Sequence, residues 1–347
     1  MMYSSKERVQ ACLRHEEPDR VPADVWAEPQ VWNRLMKDFD VSTKNEVCAE
    51  LASDVRTLEP VYPPDREEQG VRQNMWGERW AKARTPWGTE WEHIEGALVS
   101  AASLEELAGF PWPDCDQVDY SVVKAQAKEC LDHAVCYGFC DFFERPSLVR
   151  GMENFLVDTL INPDWVDYLQ KVFLDFYIED FYRALEASGR TIDIYLALTD
   201  LGTQRGLLLG QEVLDRFIFP PLKKLAETVH REGVKLMFHS CGSVREVLPQ
   251  IIAAGTDILN PIQPAAAGMD PEELKSACGR DLAFHGGVDI QYLLPLKNAG
   301  EVKREVRRRN EILGRGGGYI IAPSHNLQQD TPSENIAAMY DTALRYI

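Results

Sequence analysis

The chain has 347 residues, 45% of them hydrophobic and 27% charged, a composition typical of a globular protein with a substantial core. Its net charge of −18 argues against nucleic acid or an anionic membrane as a partner, because both attract basic surfaces. No apolar run reaches the ~18 residues that cross a bilayer, and the charged N-terminus lacks the apolar core of a signal peptide. We therefore expect a cytoplasmic protein whose eight cysteines are reduced.

The N-terminal third of the chain mixes helical and extended patterns. Apolar spacing predicts a helix over 4–15, a strand over 21–26, helices over 29–38 and 43–53, and a strand over 55–58. Residues 61–100 differ, because the Trp-Gly dipeptides at Trp76 and Trp87 and the alternating aromatic residues predict β-hairpins. We expect a hairpin insertion whose aromatic side chains either cover the mouth of an active site or form a small satellite core.

From residue 120 onward, short apolar strands alternate with helices. The predicted strands are 134–139, 192–198, 234–238, 257–259, 282–284 and 318–321. The predicted helices are 120–133, 144–188 with a break near Asn162 and Pro163, 220–232, 243–253, 271–277, 300–313 and 332–346. With the two earlier strands, this pattern predicts an α/β fold, a (β/α)8 TIM barrel spanning 1–347 as one domain. A doubly wound open sheet is the alternative, but neither a GxGxxG segment nor a P-loop supports it.

Helix-start signals follow several of the late strands. Ser243 with Glu246 three residues on is typical of a capping box. Asp270 and Thr331 each precede a proline and are predicted N-caps. Because strand-to-helix loops form the ligand-binding face of a barrel, the residues just before these helices are expected to share that face.

The candidate functional residues lie at the carboxyl ends of the predicted strands, where barrel enzymes gather catalytic groups. The candidate catalytic residues are Asp200, His285 and His325. The candidate substrate-binding residues are Phe142, Phe143, Glu144, Gln204, Asn260, Gln263, Asn326 and Gln328, with Trp76 and Trp87 as further aromatic walls. The two histidines are suited to acid–base chemistry or substrate hydrogen bonds, although either is equally compatible with a histidine satisfied by neighbouring backbone.

His239 and Cys241 follow a short apolar strand and are separated by one residue. An imidazole and a soft thiolate together favour Zn²⁺, and a catalytic zinc needs a third protein ligand and an open position. His325 and Asp200 are the best-placed further ligands. Two other interpretations stay open: a buried, inert cysteine, and a metal-free reactive thiolate beside a helix N-terminus.

Several segments resemble the uroporphyrinogen decarboxylase superfamily. They are KERV at 6–9, EPDRVP at 17–22, GTDILN at 255–260, FHGGVD at 284–289 and SHNLQQDTPSEN at 324–335. The resemblance implies a (β/α)8 barrel. True decarboxylases of the family carry an arginine-rich N-terminal segment for a tetrapyrrole with eight carboxylates, whereas residues 24–29 here read DVWAEP. Without those charge-assisted contacts, decarboxylation of uroporphyrinogen is disfavoured.

The other branch of this superfamily comprises corrinoid-dependent methyltransferases with a zinc site of the form His-x-Cys plus a distant cysteine. His239 and Cys241 match the first two ligands, and His325 stands in the segment of the third. The resemblance implies a zinc enzyme, such as an O-demethylase component, that exchanges a methyl group between a small-molecule donor or acceptor and the cobalamin of a separate corrinoid protein.

Alternatives to this function are a metal-free lyase that uses Asp200 and His325 on another carboxylate substrate, and a non-catalytic barrel that binds a small ligand. His325 is then a substrate contact, as in the decarboxylases, rather than a metal ligand. The sequence is compatible with a homodimer.

Overall fold

The computed structural model describes residues 3–85 and 88–344. Its strands are β1 Val55–Thr57, β2 Arg66–Glu68, β3 Val71–Gln73, β4 Arg79–Thr85, β5 Gly88–Glu95, β6 Ala134–Asp141, β7 Ile194–Leu198, β8 Lys235–His239, β9 Ile258–Ile262, β10 Ala283–Val288 and β11 Tyr319–Pro323. Its α-helices are α1 Ser5–Leu13, α2 Pro29–Asp38, α3 Lys44–Glu50, α4 Leu104–Ala108, α5 Ser121–Glu129, α6 Glu144–Arg150, α7 Met152–Ile161, α8 Pro163–Ala187, α9 Gln211–Phe217, α10 Phe219–Arg231, α11 Leu248–Ala253, α12 Pro271–Cys278, α13 Ala299–Leu313 and α14 Ser333–Leu344.

Seven parallel strands form the barrel wall in the order β1-β6-β7-β8-β9-β10-β11. The segment 22–24 bridges the two edge strands. On one side the Asp24 amide donates to Ile321 O at 3.0 Å, and on the other the Asp54 amide donates to Ala23 O at 2.7 Å. The α/β barrel fold is therefore confirmed.

The predicted first strand over 21–26 is wrong as a regular strand, because it pairs with β11 only through a single bridge at Ala23. Pro22 has no amide hydrogen, so this segment cannot donate at that position in a strand ladder.

Strands β9, β10 and β11 are buried along their whole length, as is typical of parallel sheets covered by helices. A small apolar cluster fills the barrel interior and includes Val9 and Cys12 of α1. The Gly318 amide, just before β11, donates to Cys12 O at 2.8 Å. Helix α1 therefore covers the amino-terminal end of the barrel, which leaves the carboxyl ends of the strands as the accessible face. No helix in the described part of the chain is long and apolar enough to cross a membrane.

The predicted hairpin insertion is present as a four-stranded antiparallel sheet, β2-β3-β4-β5. Trp76, between β3 and β4, packs its ring 4.3 Å from that of Phe173 and 4.9 Å from that of Phe176, both on α8. The insertion therefore has its own apolar contact with the barrel helices. Trp87 lies outside the described residues.

Two of the three predicted helix caps are wrong. The Ser243 hydroxyl donates to Ala267 O at 2.6 Å instead of capping a helix, and a short 3-10 helix over Arg245–Val247 precedes α11. The hydroxyl of Thr331 is buried with no hydrogen-bond partner within the described part of the chain. Asp270 does cap α12, accepting hydrogen bonds from the amides of Glu272 and Glu273. Tertiary contacts thus redirect side chains that local spacing assigns to caps.

Candidate metal centre

Three potential metal ligands meet at the carboxyl end of the barrel. His239 ends β8, Cys241 follows it on the loop, and His325 follows β11. One ligand atom from each of the three lies within 4.8 Å of the others. His239 Nε2 is 3.5 Å from Cys241 Sγ, and the two imidazole rings are 5.8 Å apart in an edge-on arrangement. The structure therefore brings together the three residues that the sequence analysis selected as ligands.

A close backbone approach shapes the loop that carries Cys241. Gly242 has a φ of +78°, and a Cβ there would lie 2.5 Å from the carbonyl oxygens of Gly202 and Thr203. The next amide, of Ser243, donates to Thr203 O at 2.8 Å. The loops after β7 and β8 thus contact each other through their backbones, which is why glycine is needed at position 242.

Asp200, at the end of β7, is placed beside the three ligands. Its Oδ1 accepts a hydrogen bond from the Cys241 amide at 2.8 Å and lies 3.8 Å from His239 Nε2. The carboxylate therefore holds the cysteine loop and adds negative charge where a cation would bind.

A chain of buried side chains stands behind His239. His239 Nδ1 is 2.5 Å from Asn260 Oδ1, Asn260 Nδ2 is 2.5 Å from His285 Nδ1, and His285 Nε2 is 3.1 Å from Asp24 Oδ2. Asp24 Oδ2 also accepts from Trp26 Nε1 at 2.8 Å, and the Trp26 ring stacks on His239 with an interplanar angle of 6°.

This series of hydrogen-bonded side chains corrects the expected roles of His285 and Asn260. Both are 1% exposed and are satisfied by each other and by their neighbours, so they lie behind the site instead of facing a substrate. The sequence analysis missed Asp24 and Trp26. The available signal was the position of Asp24 at the carboxyl end of the first barrel segment, because polar residues at that end were selected on the other strands.

Burial sets the protonation of this region in the absence of a cation. It lowers the pKa of His239 to about 4, partly opposed by the negative charge of Asp200. It also raises the pKa of the Cys241 thiol to about 12, with Asp200 adding to the effect. Burial raises the pKa of Asp24 as well, but hydrogen bonds led by that of His285 outweigh it and keep the pKa below its ordinary value.

The donor set fits a zinc ion. Two imidazoles and one thiol are ordinary zinc ligands, and three of them leave one coordination position open. Nδ1 of His325 is buried and has no hydrogen-bond partner among residues 3–85 and 88–344. A cation at this point would also favour the thiolate form of Cys241, as metal binding does for coordinating thiols.

Two cavities meet at the candidate centre. The larger, of about 1150 Å³, is bordered by His239, His325 and Asp200 and extends to the antiparallel sheet. Its aromatic walls include Trp26, Trp32, Tyr62, Trp76, Trp80, Tyr137, Phe139, Phe176 and Tyr177. The smaller, of about 260 Å³, is polar and is bordered by Gln204, Cys241, Gln263, Ala265, Asp289, Ile290, Gln291, Ser324, His325 and Gln328.

The remaining predicted substrate contacts divide into two groups. Glu144 and Asn326 border the larger cavity; burial and the charge of Asp200 raise the pKa of Glu144. Phe142 and Phe143 are buried, and neither borders these two cavities. The ring of Phe143 packs 5.1 Å from that of Phe155. Phe142 and Phe143 therefore belong to the core beneath the site.

Comparisons with known proteins agree with this architecture. The model of the uroporphyrinogen decarboxylase (URO-D) family matches residues 146–346. Curated uroporphyrinogen decarboxylases of Anaeromyxobacter dehalogenans (strain 2CP-C) and Anaeromyxobacter sp. (strain Fw109-5) are 30% and 32% identical over 141 residues, which is 38% of this chain. Those matches span 36% of the length of each relative. Among solved structures, a methyltransferase from Methanosarcina mazei superposes over 99% of both chains, with a TM-score of 0.72 and 17% identity, so the two share a fold.

Proposed function

The chain belongs to the uroporphyrinogen decarboxylase family, and within that family we propose that it is a zinc-dependent methyltransferase. It moves a methyl group between a small substrate and the cobalamin of a separate corrinoid protein. The observation that carries this proposal is the convergence of His239, Cys241 and His325 within 4.8 Å beside a large cavity. Two imidazoles and a thiol are a donor set suited to zinc and leave room for one further ligand.

The residues of the chain have separate tasks in this proposal. His239, Cys241 and His325 hold the metal, and Asp200 fixes the cysteine loop through the Cys241 amide. Zinc bound there supplies a Lewis acid, which stabilises a thiolate acceptor or the departing oxygen, nitrogen or sulfur of a methyl donor. With three protein ligands, a zinc ion held here would have one coordination position left for that atom of the substrate.

The larger cavity supports a reaction between two bulky participants. Its volume of about 1150 Å³ is at or above the upper end of ordinary ligand pockets, which reach ~1,000 Å³. It begins at His239 and His325 and is rich in aromatic side chains. Such a space accommodates a small substrate at the metal together with an approaching corrinoid ring.

Charge pairing around the same cavity argues against a substrate with many carboxylates. Three arginines border it, and each is already engaged. Arg56 donates to backbone carbonyls, Arg72 pairs with Asp65 at 3.1 Å, and Arg145 pairs with Glu78 at 3.0 Å. A tetrapyrrole with eight carboxylates would have to displace these partners, which favours the methyltransferase over the decarboxylase.

Metal analysis tests the zinc site directly. We expect about one zinc per chain in protein purified from zinc-supplemented cells, loss of that zinc in Cys241→Ser, and its retention in Cys278→Ser, a buried cysteine elsewhere in the barrel. Equal zinc contents in the wild type and Cys241→Ser would refute the proposed ligand set.

Spectroscopy of cobalamin tests the reaction. Methylcobalamin with 2-mercaptoethanol, and cob(I)alamin with an aryl methyl ether, provide the two directions of transfer. We expect the absorbance change of demethylation or methylation at cobalt to depend on zinc-loaded protein and to disappear in Cys241→Ser. Carbon dioxide release from uroporphyrinogen, with no change in either cobalamin spectrum, would instead identify a decarboxylase.

A further inference from the structure

We propose that Asp24, His285 and Asn260 are positioning residues that hold the imidazole of His239 in a single tautomer, with Nδ1 protonated and Nε2 bare. This tautomer presents the lone pair of Nε2 toward Cys241 before any metal arrives. The inference rests on the proposed zinc site for its purpose, but its structural content concerns the metal-free protein.

The direction of the hydrogen bonds follows from the acceptor at one end. A carboxylate has no proton to donate, so the 3.1 Å contact between Asp24 Oδ2 and His285 Nε2 requires the hydrogen to be on the imidazole. With its proton on Nε2, His285 has a lone pair on Nδ1. That lone pair accepts a hydrogen bond from the Asn260 amide nitrogen, 2.5 Å away.

The orientation of Asn260 then determines the state of His239. With its nitrogen turned toward His285, its Oδ1 faces His239 Nδ1 at 2.5 Å. An amide oxygen only accepts, so His239 must donate from Nδ1, and Nε2 is left without a proton. The opposite orientation of Asn260 would instead need His285 to donate from both Nδ1 and Nε2.

The barrel wall holds this chain in place. His239 and Asn260 are register partners on β8 and β9, and His285 lies on the next strand, β10. This series of hydrogen bonds ends at Asp24, in the segment that closes the barrel. Trp26 covers the rings of both histidines. Each residue of the series therefore comes from a different strand or segment of the barrel wall. The three residues behind His239 are at most 5% exposed.

A preset tautomer matters because a metal binds only a bare nitrogen. An imidazole that must exchange tautomers or rotate on binding weakens the site, whereas one held by outer hydrogen bonds is ready. Loss of such outer partners typically weakens metal binding by about 10- to 100-fold.

Nitrogen NMR of the metal-free wild-type protein tests the tautomer directly, and a variant is needed only to assign the signals. In ¹⁵N-histidine-labelled protein near neutral pH, we expect His239 to show a protonated Nδ1 and a bare Nε2, and His285 to show the reverse. A His239→Gln sample identifies the His239 signals among the seven histidines. Protonation of His239 at Nε2 in the wild type would overturn the proposal.

Zinc affinity, measured by competition with a chromophoric chelator, tests the consequence. We expect Asp24→Asn to weaken zinc binding by about 10-fold or more, and Asn260→Ala, which removes both central hydrogen bonds, by at least as much. The matched control is Asp180→Asn: Asp180 is a carboxylate of 1% exposure bonded to tyrosine hydroxyls such as Tyr120 and Tyr137, and its loss is expected to leave zinc binding unchanged.

The outcomes separate this inference from the proposed function. Wild-type affinity in both Asp24→Asn and Asn260→Ala, or equal losses in Asp180→Asn, would overturn the positioning role. A wild-type protein that binds no zinc would overturn the zinc function, and with it the purpose proposed for the hydrogen bonds behind His239. The tautomer of His239 would then still decide by NMR whether the hydrogen bonds run as proposed.

Discussion

Replacing Gly242 by alanine is expected to disturb the candidate metal centre through the backbone, without changing any of the three candidate ligands. Gly242 has a left-handed φ of +78°, and an added Cβ would lie 2.5 Å from Gly202 O and from Thr203 O. Contacts of that length with backbone atoms are not relieved by rotating a side chain. The loop that carries Cys241 must therefore move away from the loop after β7.

The size of the effect follows from two separate costs. An alanine in the left-handed region costs about 1–2 kcal/mol, and forcing a methyl group into occupied space typically adds about 1–3 kcal/mol. We therefore expect Gly242→Ala to lower the free energy of unfolding by about 2–5 kcal/mol. Zinc affinity is expected to fall by about 10-fold or more, because Cys241 moves with the loop.

Gly233→Ala is the matched control. Gly233 also has a left-handed φ, of +76°, but its added Cβ would meet nothing within 4 Å. Only the conformational cost of about 1–2 kcal/mol applies there, and zinc binding is expected to be unchanged. Urea unfolding of metal-free protein and chelator competition measure the two effects. The reasoning is refuted if Gly242→Ala matches Gly233→Ala in both measurements.

Three further predictions concern the fold and the cavity. Burial raises the pKa of Asp257, but hydrogen bonds led by that of His230 outweigh it and keep the pKa below its ordinary value. The carboxylate therefore stabilises the fold above about pH 4, and this stabilisation is lost on acidification. Asp257→Asn should lower the free energy of unfolding in urea at pH 7 and reduce its fall at acidic pH. Asp158→Ala should cost about 3–5 kcal/mol in the same assay, because it removes the carboxylate that lies 2.7 Å from the buried guanidinium of Arg150 and leaves that charge hydrogen-bonded to backbone carbonyls. A cost below about 1 kcal/mol would contradict this. Leu198→Trp should partly fill the larger cavity and raise the KM of the methyl-transfer substrate while zinc content stays at the wild-type level, and loss of zinc would show that the cavity and the metal centre are not separable in this way.

The sequence was sufficient for the barrel and for the placement of His239, Cys241 and His325 at one end of it, because both depend on local patterns. Short apolar strands alternating with helices specify parallel strands, and parallel strands gather their carboxyl ends on one face. His239 ends β8, and Cys241 and His325 follow β8 and β11, so the topology places all three at the same end of the barrel, where the structure brings their ligand atoms within 4.8 Å. Glu144 and Asn326 were likewise placed beside the cavity by that rule alone.

The same rule failed where side-chain direction and distant partners decide the outcome. Phe142 and Phe143 follow β6 but turn into the core, and the Ser243 hydroxyl bonds to Ala267 instead of a helix end. Strand position predicts which end of the barrel a residue occupies. It does not predict whether the side chain points toward the cavity or behind it.

The roles of Asp24, Asn260 and His285 illustrate what the tertiary structure alone decided. Asp24 is 261 positions from His285 in the chain, and no spacing pattern relates them. Their hydrogen bond exists because the segment 22–24 closes the barrel beside β11, which brings the start of the chain close to the last strand. Sequence periodicity indicates which faces of an element are buried. The hydrogen-bond partner of a buried polar group depends instead on how the barrel closes in three dimensions. A polar group removed from water must form its hydrogen bond with whichever residues that closure brings close to it.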